Sequence, residues 1–303
     1  MQELIRDFGA PLDLSIERKP ETQYFHMQTE FIHIGFDGKR TGAETYLLRL
    51  LCNPGALSGK KLDEYTCTEL GLQLQGGSHV TIPALKLFTY QFNLMSGMID
   101  KGPVFGIPHE PFESLTDSTG NKLATDIRYA IYNNFIDFHT FNDVFSRPMK
   151  FGKGIEFLKT PGDQVVHASA LRDAPVTLGN TIKPGSVFHN GRITLELKGI
   201  SIVDGAPCAI VGYDSGECTL RMIIAVDKNQ EGLMEGGSEY KGDMYIDLLS
   251  GWLRKTTLDE FVITQAGATD VTKPRIYGYT VRHILLRLID RQEFEKPVAL
   301  LQQ

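Results

Sequence analysis

Apolar and polar residues alternate along most of this chain. Phe88, Tyr90, Phe92 and Leu94 are interleaved with Thr89, Gln91 and Asn93, the period-two signature of a strand with one buried face. Ile193, Leu195 and Leu197 alternate with Thr194, Glu196 and Lys198. The phase slips at Gly199 and resumes at Ile200 and Ile202. That slip predicts a β-bulge, because one inserted residue reverses the facing of those that follow. Leu220, Met222, Ile224 and Val226 share a face, as do Met244, Ile246 and Leu248, with Asp243 and Asp247 opposite.

Turn residues fall between these runs. Asp37-Gly38 separates 24–36 from 44–52, and Asp204-Gly205 separates 200–203 from 208–213. Asp214-Ser215-Gly216 leads into 218–227, and Ser250-Gly251 joins 243–248 to 252–265. Asp-Gly and Ser-Gly supply the positive φ of tight hairpins. Links this short force antiparallel neighbours. From residue 186 onward the pattern predicts five or six strands in a meander, with a hairpin tip at 214–217.

Two segments depart from the alternation. Residues 60–70 are expected to form a short helix. Over 125–145, Ile127, Ile131, Phe135, Phe138 and Phe145 recur near helical spacing, with Tyr132 and Phe141 beside them, and Arg147-Pro148 ends the run. Residues 280–290 fit either period, and the neighbouring Ile276, Tyr277 and Tyr279 favour a strand. The stretches 100–124 and 159–190 are expected to be loops.

The expected fold is mainly β: a curved antiparallel meander sheet, half-barrel or open barrel-like, with one or two helices packed on its concave face. One domain over 1–303 accounts for it. The alternative divides the chain into 1–150, strands plus an aromatic helix, and 151–303, the meander. No motif identifies a family. The layout alone resembles the half-barrel of bacterial periplasmic lipoprotein carriers and related lipid-binding proteins.

Composition narrows the classes. Of 303 residues, 42% are hydrophobic and 22% charged, ordinary for a folded chain and unlike a disordered or fibrous one. Lys plus Arg number 31 against 37 Asp plus Glu, so no cationic excess awaits a phosphate backbone and nucleic acid is not an expected partner. No stretch is apolar for long enough to cross a bilayer. Residues 1–22 lack the apolar core of a signal peptide, which reads as cytoplasmic; a removed leader would make the chain periplasmic or secreted. Cys52, Cys67, Cys208 and Cys218 form no C-x-x-C pair, so structural zinc is not expected. Their disulfide status stays open, although Cys218 would face Tyr213 rather than Cys208 in a regular hairpin.

Candidate chemistry centres on the 125–145 helix. His139 and Asp143 stand at i and i+4 and face each other, so the carboxylate can fix the tautomer of the imidazole and raise its basicity. The competing reading is a plain structural pair. His26, His33, His79, His109, His167, His189 and His283 form no H-E-x-x-H or H-x-H pattern. Gly212-Tyr213-Asp214-Ser215-Gly216 places its serine wrongly for a nucleophile elbow. Asp227, Asn229 and Glu231 resemble the start of a calcium loop, but its twelfth position is Ser238 instead of the required Glu, so no metal is expected. No phosphate-binding glycine motif is present, and no cofactor is expected.

The 17 Phe and 11 Tyr suggest either a solid aromatic core or an apolar cavity. The leading expectation is a non-enzymatic protein holding an apolar or lipid-like molecule between sheet and helix, lined by Phe88, Tyr90, Phe92, Tyr132, Phe135, Phe138 and Phe141. A hydrolase using His139 and Asp143, with loops 76–79 and 104–110 beside them, is the second. A structural or surface-interaction module is the third, expected to expose a flat apolar patch.

Overall fold

Alternation becomes strand along much of the chain. The computed structural model describes residues 11–96, 103–149, 153–174, 176, 182–225, 230–269 and 273–297. The first strands are β1 (Gln23–Gly35), β2 (Arg40–Asn53), β3 (Glu64–Leu74), β4 (Val80–Thr81) and β5 (Phe88–Gln91). After a helical segment come β6 (Gln164–Val166), β7 (Asp173–Ala174), β8 (Val187–His189), β9 (Thr194–Val203) and β10 (Ala206–Asp214). The last four are β11 (Cys218–Ala225), β12 (Glu231–Asp247), β13 (Leu253–Ala268) and β14 (Ile276–Ile289).

All fourteen belong to one open antiparallel sheet, whose main path runs β4-β3-β2-β1-β14-β13-β12-β10-β9-β6. The first and last long strands are neighbours over twelve register pairs, from Tyr24 opposite Ile289 to Gly35 opposite Gly278. Residues 280–290 are therefore strand, as their β-branched and tyrosine neighbours suggested. The bulge expected near Gly199 is present: Ile210 pairs with Gly199 and Val211 with Leu197, skipping Lys198, and Gly199 sits at φ +146°.

The expected helix over 60–70 is instead most of β3. Tyr65 and Cys67 point to the buried face, then a register shift leaves Thr68 unpaired, and Leu70 and Leu72 take over that face. An odd pair followed by an even pair imitates helical spacing, and only the partner strand reveals the bulge.

The hairpin expected at 214–217 is also absent. β10 pairs with the second half of β12 and β11 with the first half, so the two lie end to end along one long partner. Ser215 sits at the joint: its N–H donates to the carbonyl of Tyr240, and its Oγ accepts from the Tyr240 N–H at 2.9 Å. Cys208 stands opposite Asp247 and Cys218 opposite Ser238. Nine residues of strand, about 30 Å, separate those positions, far beyond disulfide reach. All four cysteines are free and buried.

The aromatic segment forms α1 (Thr125–His139) and continues as one π-helical turn over Thr140–Phe145. It packs on one face of the sheet. Phe138 meets Phe25 of β1 and Tyr65 of β3 edge-on, at ring-centroid distances of 5.1 and 5.6 Å. Phe141 meets Tyr213 of β10 at 5.4 Å. One apolar core runs from the N-terminal segment at Leu14, through the helix, to β14. A short helix, α2 (Arg291–Phe294), follows β14, capped by the Asp290 carboxylate.

Candidate functional site

The pair expected from helical spacing forms: Nδ1 of His139 lies 2.7 Å from Oδ2 of Asp143. The π turn begins just after His139 and carries both Asn142 and Asp143. Single π turns within helices recur at functional sites.

Other elements complete a network that spacing could not reveal. Tyr90 of β5 places its hydroxyl 2.7 Å from Nε2 of His139. Tyr65 of β3 donates to Asp143 at 3.0 Å, and Asn142 Nδ2 donates to the Tyr65 oxygen at 3.2 Å. Arg18 reaches in from the N-terminal segment: Nη1 donates to Asp143 at 2.8 Å and Nη2 to the Asn142 carbonyl. The Arg18 guanidinium also stacks over Trp252 at 4.2 Å. Arg147 binds Asp63 at 3.0 Å and approaches Asp143 at 3.9 Å.

Electrostatics order the protons. Burial pushes the Asp143 carboxyl up, but Arg18, the His139 hydrogen bond and Arg147 outweigh it and hold the group below the usual carboxylate range. Burial lowers His139 against the pull of Asp143, so the imidazole is neutral. Burial likewise raises the Tyr65 and Tyr90 phenols well above their ordinary value. The consistent assignment has Nδ1–H donating to Asp143 and Nε2 accepting from Tyr90.

An ordered Tyr–His–Asp chain can transfer a proton in principle. Here both imidazole nitrogens are already engaged, and His139 is 0% exposed. Phe92 stacks on the imidazole at 4.8 Å, while Phe105 and Phe138 meet its edges at 6.2 and 5.0 Å. A general base must come within hydrogen-bond reach of a substrate proton, so a substrate here would have to displace Tyr90 from Nε2. Loop 104–110 arrives through Phe105 rather than through a polar group, and His79 of loop 76–79 lies over Gly71 of β3.

A second ionic cluster joins α1 to the opposite half of the sheet. Arg282 of β14 binds Glu260 of β13 at 2.5 Å and also Asp137 of α1, and Ser238 of β12 donates to Glu260. Burial, and then Glu260, raise the Asp137 carboxyl to about 6 against the pull of Arg282.

The aromatic positions expected to line a cavity pack against one another. Phe135 meets Phe88 and Tyr90 at 6.1 Å, and Phe112 at 5.2 Å. Tyr132 meets Phe112 at 5.0 Å, and its hydroxyl donates to the Ile107 carbonyl. Phe141 stands apart from this set, against Phe145 and Tyr213. Tyr132, Phe135, Phe138 and Phe141 are all fully buried.

No protein-family model matches this chain, and no curated protein matches it.

Asp227 and Asn229 lie outside the described residues, and Glu231 opens β12. Among the described residues no group of three or more His, Cys, Asp or Glu side chains is placed to hold a metal. No described helix is long and apolar enough to cross a membrane. A surface cleft of about 460 Å³ brings Arg254, Arg287 and Arg291 together with Glu21, Asp204, Asp290 and Glu293, so it mixes both signs with no strong excess of either.

The remaining feature is a surface. On the side of the sheet away from α1, β1 presents Ile32 and Ile34, β14 presents Tyr279 and Val281, and β13 presents Phe261 and Ile263. These residues are register neighbours: Ile32, Val281 and Phe261 form one row, and Ile34, Tyr279 and Ile263 the next. Phe261 is 44% exposed and Ile263 47%. Phe36, just beyond β1, and Tyr277, near the start of β14, are 75% and 52% exposed and touch at 6.2 Å.

Proposed function

We propose that this chain is a non-enzymatic interaction module that docks through the outer face of β1, β14 and β13. The observation that carries this reading is the apolar patch of Ile32, Ile34, Phe261, Ile263, Tyr279 and Val281 on three adjacent strands. Contiguous exposed apolar surface of this kind marks interaction sites, because leaving it in water costs free energy that a partner recovers. The packing behind the sheet supports the same reading. An apolar ligand between sheet and helix would have to displace the rings that already fill that space, and a hydrolytic His139 would have to release Tyr90 from Nε2.

A photoactivatable phenylalanine analogue at position 263, in the cells that express the protein, tests this. A discrete cross-linked adduct is expected, with none from the same analogue at Leu249, an exposed site at the Ser250-Gly251 turn. Phe261→Lys introduced alongside the probe should abolish the adduct while shifting stability by about 0.5 kcal/mol or less, the usual scale for a surface substitution. Absence of any adduct at 263 would refute docking through this face.

A further inference from the structure

The apolar rows are bordered by a charged one. Glu30 of β1, His283 of β14, Asp259 of β13 and Lys241 of β12 occupy consecutive strands in a single register row. Acidic and basic groups alternate along it, and His283 Nδ1 lies 2.6 Å from Asp259. An alternating row of even length has a special symmetry: reversed, it sets an acidic residue against a basic one at every position.

We propose that the partner is a second copy of this chain, docked face to face about a two-fold axis running along the strands between β13 and β14. The inference rests on the docking reading above and names its occupant. Rotation about that axis sets Glu30 opposite the second copy's Lys241, and His283 opposite its Asp259. In the adjacent rows it sets Val281 opposite Phe261, Tyr279 opposite Ile263, and Ile32 opposite Glu239, the register partner of Phe261. Ile34 meets Gly237, the register partner of Ile263, so a bulky side chain faces a position without one. Self-complementarity of this kind is what a two-fold interface requires. Two sheets packed this way align within about 30°.

The surroundings argue against an anionic lipid surface as the occupant. Arg40, Arg221 and Arg275 at the far edge are balanced by Asp37 and Glu235, and Glu239 adds a carboxylate within the row of Phe261. A membrane surface would reward a cationic rim, whereas a mixed rim matches another mixed rim. Four strands and three rows span about 20 Å by 20 Å. That is the small end of specific interfaces, so the dimer is a dissociating one.

Sedimentation velocity on the purified full chain, from low to high micromolar concentration, tests the inference. Concentration-dependent dimerisation is expected. Glu30→Lys and Lys241→Glu should each weaken it by about tenfold, because each places two like-charged pairs across the interface. An equimolar mixture of the two variants should restore dimerisation, since every reversed residue then meets its opposite. That rescue also excludes misfolding as the cause of the single-variant losses.

A monomer at every concentration would overturn the proposal, as would single variants that dimerise normally or a mixture that fails to recover. Flotation of a monomeric chain with phosphatidylglycerol vesicles would reassign the face to a membrane. A monomer that still gives an adduct at position 263 would end the self-association proposal and leave docking intact. A monomer without an adduct would end both.

Discussion

The hydroxyl of Tyr90 donates to Nε2 of His139 across 2.7 Å, and that bond completes a path from sheet to helix to N-terminal segment. β5 holds Tyr90, α1 holds His139, the π turn holds Asp143, and the segment before β1 holds Arg18. Every link is buried, so the network acts as a clamp on three separate pieces of chain.

The clamp makes a graded prediction. Asp143→Ala strands the buried Arg18 guanidinium and should cost about 3–5 kcal/mol. Tyr90→Phe removes one neutral donor and leaves Nε2 unpaired, which should cost about 1–3 kcal/mol. Urea denaturation measures both. Equal and small losses would show that the network holds nothing.

Stability should also fall as pH drops from 6.5 towards 4. Burial, with Arg49 and Arg287 nearby, holds His26 down to about 4, and burial alone does the same to His167. The neutral forms belong to the fold, so their contribution is present above the ordinary value of 6.5 and is lost as the unfolded chain takes up protons below it. Each contributes about 3 kcal/mol across that window. His139 acts in the same direction. Asp137 opposes them: its carboxyl is raised to about 6, so its contribution is present at low pH and is lost as pH rises through 6. His109, lowered by burial, adds to them, while His33, raised by its hydrogen bond with Glu44, sides with Asp137; four lowered histidines against these two groups set the net sign. Asp143, held below the ordinary range, keeps its contribution throughout this window. Urea midpoints across the range would show the slope, and His167→Gln should flatten it. A flat wild-type profile would contradict the burial of these groups.

A filled aromatic core predicts that native mass spectrometry of the purified chain finds the bare polypeptide. Phe138→Ala should cost about 3–5 kcal/mol and open a cavity able to take a small aromatic probe that the wild type refuses. A lipid carried through purification by the wild type would return the space between sheet and helix to consideration as a binding site.

Some of this was legible in the order of residues. Alternation through Phe88, Tyr90 and Phe92, and through Leu220, Met222 and Ile224, is a local property, and local periodicity dictates strand. The aromatic spacing over 125–145 dictated the helix for the same reason, and the i, i+4 relation of His139 and Asp143 survived into the fold.

The misread elements depended on a partner. Thr68 is a bulge only because Arg49 and Leu50 pair with Glu69 and Cys67, and 214–217 is a joint only because β12 is long enough to hold β10 and β11 end to end. Arg18 finds Asp143 from 125 residues away, with no spacing to announce it. The charged row of Glu30, His283, Asp259 and Lys241 likewise exists only once four strands take up their register. Side-chain periodicity is written within each strand, whereas register, burial and the partner of a buried charge are settled when distant strands compete for one core.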